Sequence, residues 1–137
     1  MINILTSRLS SSEGKVEICG FDLGKDQKKI REIVSMCPQF DICWSDLTVY
    51  EHIELFARIR EINEDIMNSY VLQKIAEVGL GDRASYRVKY LSGGMKRRLS
   101  IAIATVGDPS VVFLDEPTTG LDPVTQAEIM KLINVIF

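Results

Sequence analysis

This sequence has few thiols, no long apolar run and no excess of positive charge. Its 137 residues include only three cysteines, Cys19, Cys37 and Cys43, and no C-x-x-C pair. Neither a disulfide framework nor a zinc site is therefore expected, and a reducing compartment is favoured. No apolar run approaches the roughly 20 residues that span a bilayer, and no signal peptide is recognisable. We expect no transmembrane segment in this chain and expect any membrane attachment to come from a partner or from sequence outside it.

The charge balance is slightly acidic. Sixteen Lys and Arg residues stand against 19 Asp and Glu residues, which gives a net charge of −3. No broad basic footprint exists for nucleic acid, so we expect no nucleic-acid partner. The content of 46% hydrophobic and 26% charged residues is ordinary for a globular protein.

Two adjacent carboxylates follow the most apolar short segment of the chain. The run 111–114 reads Val-Val-Phe-Leu, which is typical of a strand in a parallel sheet covered on both faces. Asp115 and Glu116 come next, and Pro117 ends the segment. Because side chains alternate along a strand, the two carboxylates should diverge, one suited to a magnesium ion and one to a water molecule. Such pairs are also common on surfaces, so the surrounding sequence has to decide between the two interpretations.

A Ser-Gly-Gly turn, residues 92–94, lies 23 residues upstream of the first carboxylate. It precedes a helix predicted over residues 93–106, whose free N–H groups are suited to phosphate oxygens. Taken alone, Ser92 would be an ordinary helix cap. The basic triplet Lys96-Arg97-Arg98 is interpreted as a solvated helix face, because consecutive helical positions point in different directions.

These segments, together with Thr119-Gly120-Leu121-Asp122, resemble the nucleotide-binding domain of an ATP-binding cassette (ABC) transporter. Met95 and the basic triplet are most similar to the eukaryotic lipid-exporter branch, subfamily A. The resemblance covers nearly the whole chain. It implies an α/β fold, a partial P-loop NTPase core with a parallel sheet interrupted by a helical subdomain. Residues 1–38 and 108–137 would be core pieces, and about 39–107 the helical subdomain with the signature turn and helix.

The resemblance also implies the cofactors ATP and Mg²⁺ and roles for the acidic pair. Glu116 would polarise the water that attacks the γ-phosphate, and Asp115 would hold magnesium through water. Gln39, after Cys37-Pro38, matches the glutamine loop of the family. Its amide oxygen would reach the magnesium ion and the attacking water.

In the family, the signature turn acts on ATP held by the opposite subunit of a head-to-tail dimer. Ser92, Gly93 and Gly94 would therefore bind ATP, since the glycines let the backbone approach the γ-phosphate. The tight turn at 118–120 would send Asp122 toward the dimer interface.

The phosphate-binding string G-x-x-x-x-G-K-[ST] is absent. The opening residues look like the helix that follows this loop, and the chain ends at Phe137 before the histidine that senses the γ-phosphate in the family. The only histidine is His52, for which we predict a partly exposed structural role. We therefore expect a cassette fragment that begins just after its phosphate loop and does not hydrolyse ATP on its own.

The expected function is that of an ATP-hydrolysing subunit on the cytoplasmic face of a membrane, bound to a transmembrane domain. It would drive transmembrane transport, and the subfamily resemblance alone indicates a lipid substrate. Two alternatives remain open at this point. The chain could be a non-hydrolysing binding module that presents its signature turn to a complete cassette, or part of a soluble, non-transport cassette ATPase.

Local patterns predict most elements. Thr48 and Glu51 form a capping-box pattern at the start of a helix with an apolar stripe at Val49, Ile53, Phe56 and Ile59 or Arg60. A second helix is expected over about residues 65–78, with Ile66 on its apolar side. The remaining expectations are helices over residues 1–9 and 27–34, a strand over 15–19 and an extended segment over 35–38.

Overall fold

The computed structural model describes residues 15–40 and 42–137, so the helix expected over residues 1–9 lies outside the described part. The helices are α1 (Gln27–Ile33), α2 (Val49–Ile59), α3 (Met67–Glu77), α4 (Gly93–Thr105) and α5 (Pro123–Ile136). The strands are β1 (Glu17–Ile18), β2 (Phe21–Asp22), β3 (Val34–Cys37) and β4 (Val111–Leu114). Short 3₁₀ turns lie at Glu64–Ile66, Gly81–Arg83 and Val88–Tyr90.

Strands β3 and β4 form a parallel pair, in register from Val34 opposite Val111 to Cys37 opposite Leu114. A parallel pair needs a long crossover, and here the crossover contains α2, α3 and α4. Strands β1 and β2 form a separate antiparallel hairpin. The fold class is thus α/β with a small parallel sheet, as the sequence predicts.

Strand β4 contacts apolar clusters on both of its faces, as its uninterrupted apolar run predicts. Val111 and Phe113 pack toward β1, β2 and α1, whereas Val112 and Leu114 pack toward α4 and α5. All four side chains nevertheless remain partly exposed.

Helices α2, α3 and α4, which we call the helix trio, enclose the main core. Their fully buried side chains include Val49, Ile53, Val71, Ile75 and Leu99. The predicted capping box is present, because the Thr48 hydroxyl accepts from the Glu51 N–H and the Glu51 carboxylate accepts from the Thr48 N–H.

Several predictions about which residues face the core are wrong in detail. Ile59 is exposed at the end of α2, whereas Arg60, the alternative at that place in the stripe, is half-buried. Ile66 is exposed because it lies in a 3₁₀ turn before α3. The inner face of α2 also buries His52 and Ala57, which the predicted stripe did not include.

His52 is not the partly exposed residue that the sequence predicts. Its Nδ1 lies 2.9 Å from the Thr48 carbonyl, and its Nε2 accepts a 2.9 Å hydrogen bond from the Trp44 N–H. These partners require a neutral ring with the proton on Nδ1. Burial lowers the pKa of His52, against a smaller opposing effect of Thr48 and Glu51. The ring also stacks on Trp44, so it helps to hold Trp44 in place.

Within residues 15–40 and 42–137, none of the helices has the length and apolar character needed to cross a membrane.

Candidate functional site

The two loops that carry the predicted chemistry leave the parallel pair at the same edge. The last rung is the Asp115 N–H, which donates to the Cys37 carbonyl at 2.9 Å. Beyond it, the glutamine loop (residues 38–40) and the acidic loop (residues 115–117) separate. Across this gap the Gln39 Nε2 donates a 3.0 Å hydrogen bond to the Glu116 Oε2. Two residues 77 positions apart in sequence are thereby joined through their side chains.

Glu116 has an unusual backbone conformation. Its φ is 45°, a left-handed value that non-glycine residues adopt at a cost of about 1–3 kcal/mol when the surroundings impose it. Thr119 supplies part of that constraint, because its N–H donates to the Glu116 carbonyl at 3.1 Å and its hydroxyl to Oε2 at 2.9 Å. The exposed carboxylate is therefore aimed by its own loop as well as by Gln39.

Arg97 contradicts the interpretation of the basic triplet as a solvated face, because only 4% of its surface is exposed. Its guanidinium donates to backbone carbonyls of both loops. The acceptors and distances are Pro38 at 2.7 Å, Gln39 at 3.3 Å, Asp115 at 3.3 Å, Glu116 at 3.4 Å and Pro117 at 2.7 Å. Helical spacing could have indicated this burial, since Arg97 lies four residues before the buried Ile101 on the same face of α4.

The flanking basic residues are only half-buried. Arg98 donates to the Val78 carbonyl and pairs with Glu128 at 3.0 Å. The solvated-face interpretation is therefore wrong specifically for Arg97.

The Ser-Gly-Gly turn opens α4. Ser92 is the N-cap, with its hydroxyl accepting from the Met95 N–H at 3.3 Å. Gly93 is exposed, and a Cβ built there would lie 3.8 Å from Leu121, an ordinary contact. At Gly94 a Cβ would lie 2.7 Å from the Thr125 Cγ2, so this glycine is needed for α4 to pack against α5.

Asp122 caps α5 beside the same contact. Its carboxylate accepts from the N–H groups of Val124 and Thr125 at 3.1 Å and from the Thr125 hydroxyl at 2.6 Å. The Thr125 hydroxyl, followed by the backbone donors, holds the pKa of Asp122 below its usual value. The structure thus groups the predicted residues in two sets, one at the sheet edge and one where α4 and α5 begin.

The sheet-edge set has the donor chemistry that magnesium prefers. Mg²⁺ is usually held by one or two carboxylates and by substrate phosphates, with water completing an octahedron. Asp115 offers a half-exposed carboxylate, and the Gln39 Nε2 points to Glu116, so the Gln39 Oε1 is the amide atom suited to a cation. Among the described residues no group of three or more His, Cys, Asp or Glu side chains is placed to hold a metal ion by itself. These residues fit a metal bound together with a phosphate ligand.

Comparison with known proteins gives one consistent result. A sequence profile described as ABC transporter matches residues 1–119. The chain is 42% identical over 135 residues to ABC transporter A family member 2 of Arabidopsis thaliana, covering 97% of the chain and 14% of that protein. It is also 42% identical to A family member 8 of Dictyostelium discoideum, covering 98% of the chain and 16% of the relative. The chain thus spans only a small part of the length of the relatives it matches.

Proposed function

The chain belongs to the ABC transporter family and resembles its A subfamily, and on this premise we propose that it forms part of a domain that binds and hydrolyses ATP to drive transport. The observation that carries the proposal is the 3.0 Å bond between Gln39 and Glu116 at the shared edge of β3 and β4. It joins the two side chains on which water activation would depend.

Glu116 acts as the catalytic carboxylate in this proposal. Hydrolysis needs a group that orients the attacking water in line with the γ-phosphate. An exposed carboxylate held by the Gln39 amide and the Thr119 hydroxyl is suited to this task. Through its bond to Glu116, Gln39 would report the nucleotide state to the helical subdomain.

Asp115 and the Gln39 Oε1 would hold Mg²⁺, with the phosphates of ATP completing the site. The ion supplies neutralisation of charge on the phosphate oxygens. Asp115, which is half-exposed, would hold the ion through a water molecule.

The Ser-Gly-Gly turn serves the ATP bound by a second nucleotide-binding domain in a head-to-tail dimer. Its exposed Ser92 and Gly93 lie at the positive end of α4, where an anion is favoured. Asp122 lies on the same side through the contact between Gly94 and Thr125, which supports a place at the dimer interface.

The helix trio belongs to a helical subdomain that contacts a transmembrane domain on the cytoplasmic face of a membrane. Large apolar side chains are exposed directly after Gln39, as expected of a contact surface: Phe40 by 78%, Trp44 by 54% and Ile42 by 45%.

We propose a lipid as the transported substrate, because the chain resembles the lipid-exporter branch of the family.

A second candidate function is a binding module that presents its signature turn to a complete cassette without hydrolysing ATP. One observation favours it, since Ser92 and Gly93 of this turn are exposed at the start of α4. We expect residues 1–137 alone to release no phosphate from ATP above background. Activity that disappears in Glu116→Gln would contradict this.

The main test uses a grafted cassette, in which residues 1–137 replace the matching segment of the Arabidopsis relative. Glu116→Gln should keep ATP binding and stop turnover, whereas Asp115→Asn should weaken only the magnesium-dependent part of binding. Asp82→Asn, an exposed carboxylate on a 3₁₀ turn, is the matched control and should change neither.

Equal and complete loss of ATP binding in Glu116→Gln and Asp115→Asn would show that the two roles are misassigned. Gly93→Ala adds a test of the turn, because its Cβ meets no clash within the chain. It should leave ATP binding by a single domain intact and weaken ATP-dependent pairing of two domains.

A further inference from the structure

We propose that Arg97 is a positioning residue that sets the distance between the glutamine loop and the acidic loop, and so aims Glu116. The inference rests on the proposed function, because it concerns how the hydrolysis residues are held. It assigns a role to Arg97, which the sequence analysis predicts on a solvated helix face and which is buried in the structure.

The need for such a residue follows from the backbone. Beyond the rung between Asp115 and Cys37, carbonyl oxygens of both loops lie within hydrogen-bond distance of one guanidinium, that of Arg97. Carbonyls are acceptors only, so two groups of them cannot bond to each other. Partly buried carbonyls that lack donors would destabilise both loops.

A guanidinium meets this need better than any other side chain. It carries five N–H donors in a rigid plane and no acceptor. In Arg97 the three nitrogens divide between the loops: Nη1 bonds to Pro38 and Gln39, whereas Nε and Nη2 bond to residues 115–117. Lysine has the same charge but lacks the planar fork, so it cannot reach both loops in one geometry.

The consequence for Glu116 is direct. Arg97 bonds the carbonyls of both Gln39 and Glu116, the two residues whose side chains meet at 3.0 Å. It also helps to hold the left-handed φ of Glu116, which would relax if its carbonyl were released. A misplacement of about 1 Å at a reacting group costs roughly 100-fold in rate. Loss of the fork should thus lower turnover more than ATP binding.

Arg60 provides a matched control within the same chain. Its guanidinium also bonds three backbone carbonyls, those of Arg31, Glu32 and Val34, all at 3.2 Å. These acceptors lie at the opposite end of β3 from Gln39. Arg60→Lys removes the same kind of contact without touching either site loop.

The experiment compares Arg97→Lys and Arg60→Lys in the grafted cassette. Arg97→Lys should lower kcat about 100-fold while the Kd for ATP changes by less than about threefold. Arg60→Lys should keep kcat within about threefold of the unchanged cassette. In residues 1–137, Arg97→Lys should speed amide exchange at Asp115 and Thr119 by about tenfold or more, and Arg60→Lys should not.

Retention of kcat in Arg97→Lys, or an equal loss in Arg60→Lys, would overturn the proposal. If Arg97→Lys does not fold, Arg97→Ala with added guanidinium ion replaces it. Guanidinium should restore part of the kcat and ammonium should not, and absence of that difference also overturns the proposal. Glu116→Gln is measured beside these variants: if it keeps full turnover, the proposed function fails, whatever Arg97 does.

Discussion

The helix trio and the parallel pair are held together in different ways. In the helix trio, Val49, Ile53, Val71 and Ile75 are completely buried, since three helices pack around them. In the parallel pair, all four side chains of β4 remain partly exposed although clusters contact both faces. The candidate site lies at the edge of the second region. Its loops are joined by hydrogen bonds from Arg97, Gln39 and Thr119, whereas apolar packing holds the helix trio together.

The largest expected effect is on the free energy of unfolding, when one leucine from each region is replaced by alanine. Leu99→Ala, at a fully buried position of the helix trio, should lower the free energy of unfolding by about 2–5 kcal/mol. Leu114→Ala, at a partly exposed position of β4, should cost clearly less, about 1–2 kcal/mol, because folding buries less apolar surface of this side chain. Urea unfolding of residues 1–137 measures both. Equal losses would erase the difference between the regions.

A second contrast lies at the two glycines of the signature turn. Gly94→Ala should destabilise the chain by about 1–3 kcal/mol, because the new methyl group overlaps the Thr125 Cγ2. Gly93→Ala should be neutral or stabilise by up to about 1 kcal/mol, since alanine is the better helix former. Thermal unfolding of the pair is the measurement. Destabilisation by Gly93→Ala as large as that by Gly94→Ala would argue against the packing of α4 on α5 described above.

The pH dependence of stability should report on His52, the only histidine. Burial lowers its folded pKa, so below the ordinary value of 6.5 the unfolded chain binds a proton that the folded chain excludes. Stability should therefore fall as pH drops below about 6.5, by at most about 1.4 kcal/mol per pH unit until the folded pKa is reached. The Glu51 carboxylate, whose pKa is lowered by its bonds to Thr48, loses its contribution only below its ordinary 4.5.

The measurement is urea unfolding between pH 7.5 and 5.5 for the unchanged chain and for His52→Gln, which cannot take up a proton. The variant should show a flatter profile over this range. An unchanged slope in His52→Gln would mean that another group is responsible.

The smallest expected effect concerns the cap of α2. Thr48→Ala should cost about 1 kcal/mol, since it leaves the Glu51 N–H without its hydroxyl acceptor. Thr48→Ser keeps the hydroxyl and should restore nearly all of the stability. Comparison of the two by thermal unfolding separates the cap from the methyl group. If Thr48→Ser is as unstable as Thr48→Ala, the loss comes from packing rather than from the hydrogen bond.

The sequence by itself determined the features that depend on a few neighbouring residues. The capping box at Thr48, the helix that begins after Ser92 and the all-apolar strand at 111–114 follow from short-range hydrogen bonds and periodicity, and all are present. The motifs at 92–94 and 115–122 also sufficed to indicate the family. Local physics decides such features, because their partners lie within one or two turns of chain.

The tertiary structure alone decided which polar groups meet. The contact between Gln39 and Glu116, the buried fork of Arg97 and the neutral ring of His52 depend on loops that parallel strands bring to one edge, or on the closing of the helix trio. Arg97 and His52 look solvated in the sequence because charged and polar residues are usually exposed. They are buried here because the fold brings carbonyl and amide groups beside them that supply matching hydrogen-bond partners.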